Sequence, residues 1–315
     1  MNKLDERKII DIFQKKLVKD NHHEDVEIFR LGKKFGVIKT DTLVESTDVP
    51  PQMRPEQIAR KSMVAPLSDF ASKGVKPRHG IISISLPRGY PRSKLISLAK
   101  GFKDTSRQFG VKILGGDTNE AKEIVISVML FGIASRITAR SGAKQRDIIV
   151  TTGNFGRTSA GLGILLHKNR SPEKFRKLAT NSVLLPKPRL EFGVLAAKYF
   201  SSSMDSSDGL STTLTQMSAA SKKRFIITQV PKDVELDEFS KDNHLNAVDL
   251  VFNGGEEYEI VATISPKNIE KIKKIAKAKK INLIQIGHVE NGKGVLFQHG
   301  KKQTRVKDKG WTHFS

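Results

Sequence analysis

The chain has 315 residues, a formal net charge of +22 and no cysteine. This length predicts two domains of ordinary size, and the lack of cysteine excludes disulfides, thiolate catalysis and cysteine-ligated zinc. The first residues lack the apolar segment of a secretory signal, and the longest apolar run, near residues 125–134, is too short to cross a bilayer. We therefore expect a cytoplasmic protein that does not span a membrane.

The basic charge permits two interpretations. It can mark a nucleic-acid-binding surface, or it can be a general surface charge that offsets an acidic active site and attracts nucleotide phosphates. The lysines are scattered, aromatic residues make up 6% of the chain, and no RNA-recognition or helix-turn-helix pattern is found. These observations favour the second interpretation.

Hydrophobic periodicity predicts helices and strands that alternate along the whole chain. In chain order we expect a helix over 4–17, a strand over 36–44, a strand over 80–86, a helix over 93–109, strands over 124–133 and 148–150, helices over 161–166, 210–217 and 269–275, and a strand over 283–286. The adjacent His22 and His23 are interpreted as an exposed loop pair. Mixed elements in both halves predict two α/β or α+β domains that meet near residues 136–146.

Short segments that contain aspartate or glutamate are the main candidates for chemistry. The chain has neither a phosphate-binding P-loop nor the motif set of protein kinases. The acidic segments lie at His23–Asp25, Thr40–Glu45, Leu67–Ala71, Gly115–Thr118, Met204–Leu210 and Gly254–Glu257.

Each acidic segment also has a purely structural interpretation. Ser68-Asp69 and Ser207-Asp208 could be N-caps of the helices that follow, and the Gly-Gly segments could be plain turns. Taken together, carboxylates beside glycines at strand ends suggest a site that a ligand can approach closely. Several carboxylates repel one another and a nucleotide, whereas with Mg²⁺ they become a phosphate site, because Mg²⁺ prefers oxygen ligands and bridges phosphates.

The order of these segments resembles that of the thiamine-monophosphate kinase family, within the superfamily of aminoimidazole ribonucleotide synthetase. The likeness spans nearly the whole chain, and the segments over 204–210 and 254–258 carry it most strongly. The matching segments are Thr40–Glu45, Leu67–Pro77, Gly115–Thr118, Arg140–Ala143, Thr152–Gly156, Pro186–Arg189, Met204–Leu210, Gly254–Ile260 and Gly310–Phe314.

The resemblance implies the two-domain aminoimidazole ribonucleotide synthetase-like fold, of mixed α/β and α+β class. Residues 1–137 would form an α/β domain that dimerises through its sheet and carries the metal and nucleotide site. Residues 138–315 would form an α+β domain that closes over the nucleotide and the substrate. The implied partners are ATP, thiamine monophosphate and a second copy of the chain.

The resemblance also implies a role for individual residues. Asp117, Asp208 and Arg140 would be catalytic. Gly116, Asp117, Arg140 and Ser207 would contact ATP, and Asp48, Glu256 and Trp311 would contact the acceptor substrate. Several Mg²⁺ ions would be bound by Asp25, Thr40, Asp41, Asp69, Asp117, Asp205 and Asp208.

The implied activity is the ATP- and Mg²⁺-dependent phosphorylation of thiamine monophosphate to thiamine diphosphate. The acceptor oxygen is already anionic, so positioning and charge shielding replace a general base. Trp311 could stack on the cationic thiazolium ring or could be a buried aromatic anchor for the C-terminal segment. The alternative function is another ATP-using enzyme of the superfamily that acts on a different small phosphorylated or carboxylated acceptor.

Asp48 is a departure, because the family has a histidine at this position on the substrate side. Three explanations stay open. Asp48 recruits a further Mg²⁺, it accepts a hydrogen bond from the aminopyrimidine of thiamine, or it marks a different acceptor.

Overall fold

The computed structural model describes residues 5–17 and 24–314. Helices and strands alternate along the chain, as the sequence predicts. The helices are α1 (Glu6–Leu17), α2 (Glu45–Asp48), α3 (Pro55–Lys73), α4 (Arg92–Phe109), α5 (Arg157–His167), α6 (Glu173–Leu184), α7 (Leu190–Ala196), α8 (Leu210–Ser221), α9 (Val234–Asp242), α10 (Ala247–Asn253) and α11 (Ile269–Ala278). No helix among the described residues has both the length and the apolar character needed to span a bilayer.

The first sheet lies in the N-terminal half and has the strand order β1-β2-β5-β3-β4. Its strands are β1 (Glu27–Leu31), β2 (Lys34–Val44), β3 (Pro77–Leu86), β4 (Lys112–Glu120) and β5 (Val125–Ala134). β3 and β4 are parallel, and the other neighbouring pairs are antiparallel. Alternate residues of β5, including Ile126, Val128 and Leu130, are buried on the inner face, against which α3 packs.

The second sheet lies in the C-terminal half and has the order β12-β11-β8-β10-β6-β9-β7. Its strands are β6 (Ile148–Thr151), β7 (Phe200–Ser206), β8 (Lys223–Ile227), β9 (Glu259–Ile264), β10 (Ile284–Asn291), β11 (Gly294–His299) and β12 (Lys302–Arg305). β9 is buried along its whole length. The sequence of a strand that is buried on both faces is mostly apolar and does not alternate between apolar and polar residues.

Helix α3 connects the two halves. It contacts β2 and β5 of the first sheet, β7 and β9 of the second sheet, and α4 and α7. Leu67, Phe70 and Ala71 of α3 share one core with Leu190, Phe192 and Ile260 of the C-terminal half. The sequence pattern misses this helix, because its apolar and small residues lie on all sides and give no single face.

Three structural interpretations of the acidic segments are wrong. Ser68 and Asp69 lie inside α3 and are not an N-cap, and the N-cap residue of α8 is Gly209, with no side-chain cap. Gly115, Gly116 and Asp117 lie within strand β4 rather than in a turn.

The other predicted elements agree with the structure to within a few residues. Leu4 of the predicted first helix and the pair His22-His23 lie outside the described residues. The proposed boundary at residues 137 and 138 falls in the segment between β5 and β6. Because the halves share a core, the division into domains stays a prediction.

Candidate active site

Three buried aspartates converge where the two halves meet. One carboxylate oxygen from each of Asp25, Asp69 and Asp205 lies within 4.8 Å of the other two. Asp25 precedes β1, Asp69 is in the last two turns of α3, and Asp205 is near the end of β7. Residues that are 136 positions apart in the sequence, Asp69 and Asp205, thus form one acidic cluster because α3 packs on β7.

Asp41 joins this cluster from strand β2. Side chains alternate between the faces of a strand, so Lys39 and Asp41 both point to the inner face, towards α3. The Lys39 ammonium lies 2.8 Å from Asp69 Oδ2 and 3.4 Å from Asp41 Oδ1, which joins the two carboxylates. Asp41 Oδ2 is buried and accepts no hydrogen bond from a described residue.

Two further cations hold Asp25. The fully buried Lys73 ammonium lies 2.7 Å from Asp25 Oδ2 and 2.8 Å from Glu24 Oε2, and it donates to Ser203 O at 3.0 Å. The Arg140 guanidinium pairs with Asp25 Oδ1 and donates to Gln216 Oε1 at 2.8 Å. The predicted nucleotide-contacting arginine is therefore committed to the acidic cluster in this structure, although its buried Nε has no partner among the described residues.

Burial and neighbouring carboxylates raise the pKa values of the aspartates, whereas neighbouring cations lower them. Burial disfavours the ionised form of Asp25, but Lys73 and Arg140 outweigh it and lower the pKa of Asp25. Burial and the neighbouring aspartates raise the pKa of Asp205 well above its usual range. Burial raises the pKa of Asp41 to about 7, with Lys39 opposing and Asp69 adding to the shift. Without a further cation, the cluster therefore holds protons near neutral pH.

Lys39 is itself stabilised as a cation. Burial alone would lower its pKa, but Asp69 and Asp41 outweigh burial and raise the pKa of Lys39. The ammonium therefore stays charged over the whole physiological range.

A pocket of about 360 Å³ adjoins the acidic cluster. Asp41 and Asp208 line it, so the cluster and the pocket are continuous. Burial and Glu6 raise the pKa of Asp208 to about 6. The remaining lining residues that matter for the site are Asp48, Lys61, Ser207, Glu256, Tyr258, Trp311 and His313.

The only tryptophan of the sequence lies at this pocket. Trp311 is 57% exposed, and its backbone N–H donates to the backbone oxygen of Asp208 at 2.9 Å. The alternative of a buried aromatic anchor is therefore wrong. An exposed indole face beside a cavity is available for stacking.

Glu256 reaches the pocket from a strained loop after α10. Its backbone has φ +64°, in the left-handed region that non-glycine residues seldom adopt, and its N–H donates to Ser207 O at 2.6 Å. The buried Lys61 of α3 lies 2.7 Å from Glu256 Oε1. This ion pair joins the N-terminal half to the C-terminal half across the pocket.

Asp48 lines the pocket but also has a local structural role. It is the last residue of the short helix α2, and its Oδ2 accepts a hydrogen bond from the Val44 N–H at 2.6 Å. The side chain thus fixes the turn that leaves β2. The three explanations for Asp48 stay open.

Two predicted site residues lie apart from the cluster within this chain. Thr40 is exposed on the outer face of β2, on the opposite side from Asp41. Asp117 is exposed on the edge strand β4, where it pairs with Ser83 on the outer face. β4 is three strands from β2, so Asp117 is on the order of 14 Å from Asp41. The roles of Thr40 and Asp117 stay predictions.

Gly116 has a structural role that the sequence does not indicate. A Cβ on Gly116 would lie 1.6 Å from Ile82 O, so the β3–β4 pairing requires glycine there. Its contact with ATP stays a prediction.

Sequence patterns did not point to Lys39, Lys61 and Lys73, which neutralise the carboxylates of the site. Lys61 and Lys73 are buried within α3. A lysine among apolar helix residues is a signal, because buried lysine needs a paired anion, but the signal depends on recognising the helix. Lys39 stands two residues before Asp41 on one strand, a spacing that places both on one face.

Comparisons with known proteins agree with this architecture. The family model described as AIR synthase related protein, N-terminal domain, matches residues 23–134. A solved structure of AaThiL complexed with AMPPCP and TMP superposes with a TM-score of 0.88 at 26% identity and covers 99% of this chain and 98% of that chain. The predicted aminoimidazole ribonucleotide synthetase-like fold class is confirmed. E. coli HypE, a hydrogenase maturation protein, shares the fold at 18% identity and a TM-score of 0.68.

Sequence relatives are similar over the full length. The thiamine-monophosphate kinase of Nitrosopumilus maritimus is 53% identical over 314 residues, which is 100% of both chains. The thiamine-monophosphate kinase of Pyrococcus horikoshii is 33% identical and covers 99% of this chain and 97% of its own. The resemblance inferred from the acidic segments is thereby confirmed: this chain belongs to the thiamine-monophosphate kinase family.

Proposed function

We propose that the protein transfers the γ-phosphoryl group of ATP to thiamine monophosphate, which yields thiamine diphosphate and ADP. The observation that carries this proposal is the continuity of the acidic cluster with a pocket lined by Glu256 and Trp311. In this proposal, a phosphate site and an acceptor site are adjacent. The full-length similarity to thiamine-monophosphate kinases and to a structure complexed with AMPPCP and TMP supports the choice of substrates.

The acidic cluster fits Mg²⁺. Asp25, Asp69 and Asp205 offer hard oxygen donors within 4.8 Å of one another, and Asp41 Oδ2 lacks a hydrogen bond from the described residues. We propose that these four aspartates, together with Asp208 at the pocket, hold the metal. When bound, Mg²⁺ shields the negative charge that accumulates on the transferred phosphoryl group.

The residues of the cluster prepare the site before any ligand arrives. Lys73 and Arg140 keep Asp25 ionised, since they lower its pKa. The Lys73 ammonium and the Arg140 backbone N–H also hold Glu24, and the Arg140 guanidinium contacts Gln216 of α8, so Asp25 is fixed relative to both halves. A fixed carboxylate can bind a metal without the cost of ordering a mobile side chain.

The pocket suits a cationic aromatic acceptor. The thiazolium ring of thiamine carries a positive charge, and the exposed Trp311 ring can stack on it. Glu256 provides a carboxylate that Lys61 holds in place. The acceptor oxygen of a phosphate is anionic at neutral pH, so the chain needs no general base. The rate acceleration then comes mainly from the positioning of the two substrates.

We also propose that the protein is a homodimer. The outer face of the first sheet carries exposed apolar side chains, including Phe29, Ile81 and Ile133, which are 38–44% exposed. Phe29 stacks on Phe131 of β5 on the same face, with ring centroids 6.4 Å apart. A flat apolar sheet face is typical of a self-complementary dimer interface.

The direct test is to incubate the purified protein with ATP, Mg²⁺ and thiamine monophosphate and to measure thiamine diphosphate by chromatography. We expect thiamine diphosphate and ADP in equal amounts, and none when EDTA replaces Mg²⁺. Folded protein that forms no thiamine diphosphate over a range of Mg²⁺, salt and temperature would contradict the proposal.

A further inference from the structure

Lys39 stands inside the cluster of carboxylates that we assign to the metal. Its ammonium lies between Asp69 Oδ2, at 2.8 Å, and Asp41 Oδ1, at 3.4 Å. The backbone directs it there, because Lys39 and Asp41 are two residues apart on β2 and share the inner face, while α3 presents Asp69 from the opposite side.

The cations of the site are divided between the carboxylates. Lys73 and Arg140 both contact Asp25, which is therefore compensated by two cations. In the described part of the chain, Lys39 is the cation that contacts Asp41 and Asp69. The charge of this second carboxylate pair thus depends on Lys39.

An ammonium and a divalent cation compete for the same position. Mg²⁺ binds carboxylate oxygens at about 2.0–2.1 Å, and a metal that bridged Asp41 and Asp69 would need the space that the Lys39 Nζ fills. The lysine cannot diffuse away, since its side chain is attached to β2, an interior strand of the first sheet. Lys39 is also largely enclosed, with 25% of its side chain exposed.

We propose that Lys39 is a tethered cation that takes the place of one divalent ion between Asp41 and Asp69. This inference rests on the metal site of the proposed function and concerns how many ions that site accepts. The chain then binds one Mg²⁺ fewer than its carboxylates alone would hold. The Asp41–Asp69 pair also keeps one compensating positive charge when metal is scarce.

Counting bound metal tests the proposal without using turnover. Mn²⁺ is titrated into the full chain without nucleotide, and free Mn²⁺ is measured by electron paramagnetic resonance. We expect Lys39→Met to bind one more Mn²⁺ per chain than the wild type. Lys39→Arg, which keeps the cation, and Lys34→Met, which removes an exposed lysine from the same strand, should bind as many as the wild type.

The possible failures can be told apart. Equal Mn²⁺ stoichiometry in the wild type and in folded Lys39→Met overturns the role of Lys39 while the metal site stands. Absence of bound Mn²⁺ from both proteins overturns the metal site and the Lys39 inference together. If the Mn²⁺ counts are as expected but the wild type forms no thiamine diphosphate, only the proposed activity is overturned.

Thermal unfolding covers the case in which Lys39→Met folds poorly. Without metal, this variant leaves Asp41 and Asp69 uncompensated, so we expect its Tm to lie below that of the wild type. Millimolar Mn²⁺ should close most of the gap, because the ion replaces the ammonium. A Lys39→Met protein that stays unfolded, or whose Tm deficit is unchanged by Mn²⁺, contradicts the proposal.

Discussion

Asp117 lies on the exposed edge strand β4, away from the other carboxylates of the site. The family resemblance nevertheless implies that Asp117 binds metal and nucleotide. We expect Asp117→Asn, which keeps the shape and removes the charge, to lower turnover by at least about a hundredfold, the scale of losing one electrostatic catalytic group. The measurement is kcat with saturating ATP and thiamine monophosphate.

A matched control for this prediction is Asp104→Asn, an exposed aspartate on α4 outside the site. It should leave kcat unchanged. If Asp117→Asn also retains near-normal turnover, Asp117 only contributes to the edge strand, where it accepts a weak hydrogen bond from Asn119 at 3.3 Å.

Asp48 lines the pocket at a position where the family resemblance implies a histidine. We expect Asp48→Ala to raise the KM for thiamine monophosphate about fivefold to tenfold, the effect of losing roughly one hydrogen bond. The KM for ATP should stay nearly constant, because Asp48 lines the pocket rather than the acidic cluster. Steady-state kinetics with each substrate varied in turn gives both constants.

The variant Asp48→His separates the alternatives for this residue. A substantial gain in turnover on thiamine monophosphate would mean that the native chain is adapted to another acceptor. The kinase chemistry would stand in that case, but the substrate assignment would be wrong.

At the scale of elements, the ion pair between Lys61 and Glu256 joins α3 to the strained loop before β9. We expect Lys61→Met to leave the Glu256 carboxylate without its partner and to lower the free energy of unfolding by about 2 kcal/mol. This figure lies below that for a fully buried pair, because Glu256 is 28% exposed. Urea denaturation measures the loss.

The same variant should raise the KM for thiamine monophosphate more than the KM for ATP, since Glu256 lines the pocket that we propose for the acceptor. Compared with Lys61→Met, Lys61→Arg should recover part of the free energy of unfolding and part of the affinity for thiamine monophosphate. Lys94→Met, at an exposed position of α4, is the control and should change neither. Equal effects on both KM values would indicate a general structural defect instead.

Glu257 accepts hydrogen bonds from the N–H groups of Gly156, at 2.6 Å, and Thr158, at 3.1 Å, at the start of α5. Burial raises the pKa of Glu257 to about 7, with the hydrogen bonds from Thr158 opposing the shift. The folded state therefore holds a proton that the unfolded state releases near pH 4.5. The stabilisation that Glu257 contributes to the folded state is therefore full below pH 4.5 and is lost as the pH rises to about 7.

We accordingly expect the free energy of unfolding of the metal-free protein to fall between pH 5 and 7, by up to about 1.4 kcal/mol per pH unit for each proton released. Glu257→Gln keeps an oxygen acceptor and removes the titration, so its profile should be flatter. The pKa values of Asp41 and Asp208 are also raised, so these two residues still contribute to the pH dependence of unfolding in that variant. Identical profiles for the two proteins would assign the dependence to the acidic cluster alone.

At the scale of the whole molecule, dimerisation through the outer face of the first sheet is testable by light scattering. We expect the wild type to be a dimer and Ile81→Glu to be a monomer, because a charge at the centre of this face would be buried without a partner. Leu195→Glu, at an exposed apolar position on α7, should remain dimeric. A wild type that is monomeric at every concentration contradicts the assignment.

Local sequence patterns were sufficient to predict most of the elements and the family. Helices such as α4 and α11 have one apolar face, and strands such as β5 alternate, so local periodicity is enough to predict them. The acidic segments are local too, and their order along the chain led to the thiamine-monophosphate kinases. Helix α3 was not predicted, because contact with both sheets buries it on all sides and removes the periodic signal.

Which charged side chains come into contact depends on how the helices and sheets pack. Asp25, Asp69 and Asp205 come from three separate parts of the chain, and the packing of α3 between the sheets brings them within 4.8 Å. The same packing placed Lys39 between Asp41 and Asp69 and set Asp117 apart on the edge strand. Electrostatic energy depends on distance and burial, and neither quantity is a property of position along the chain.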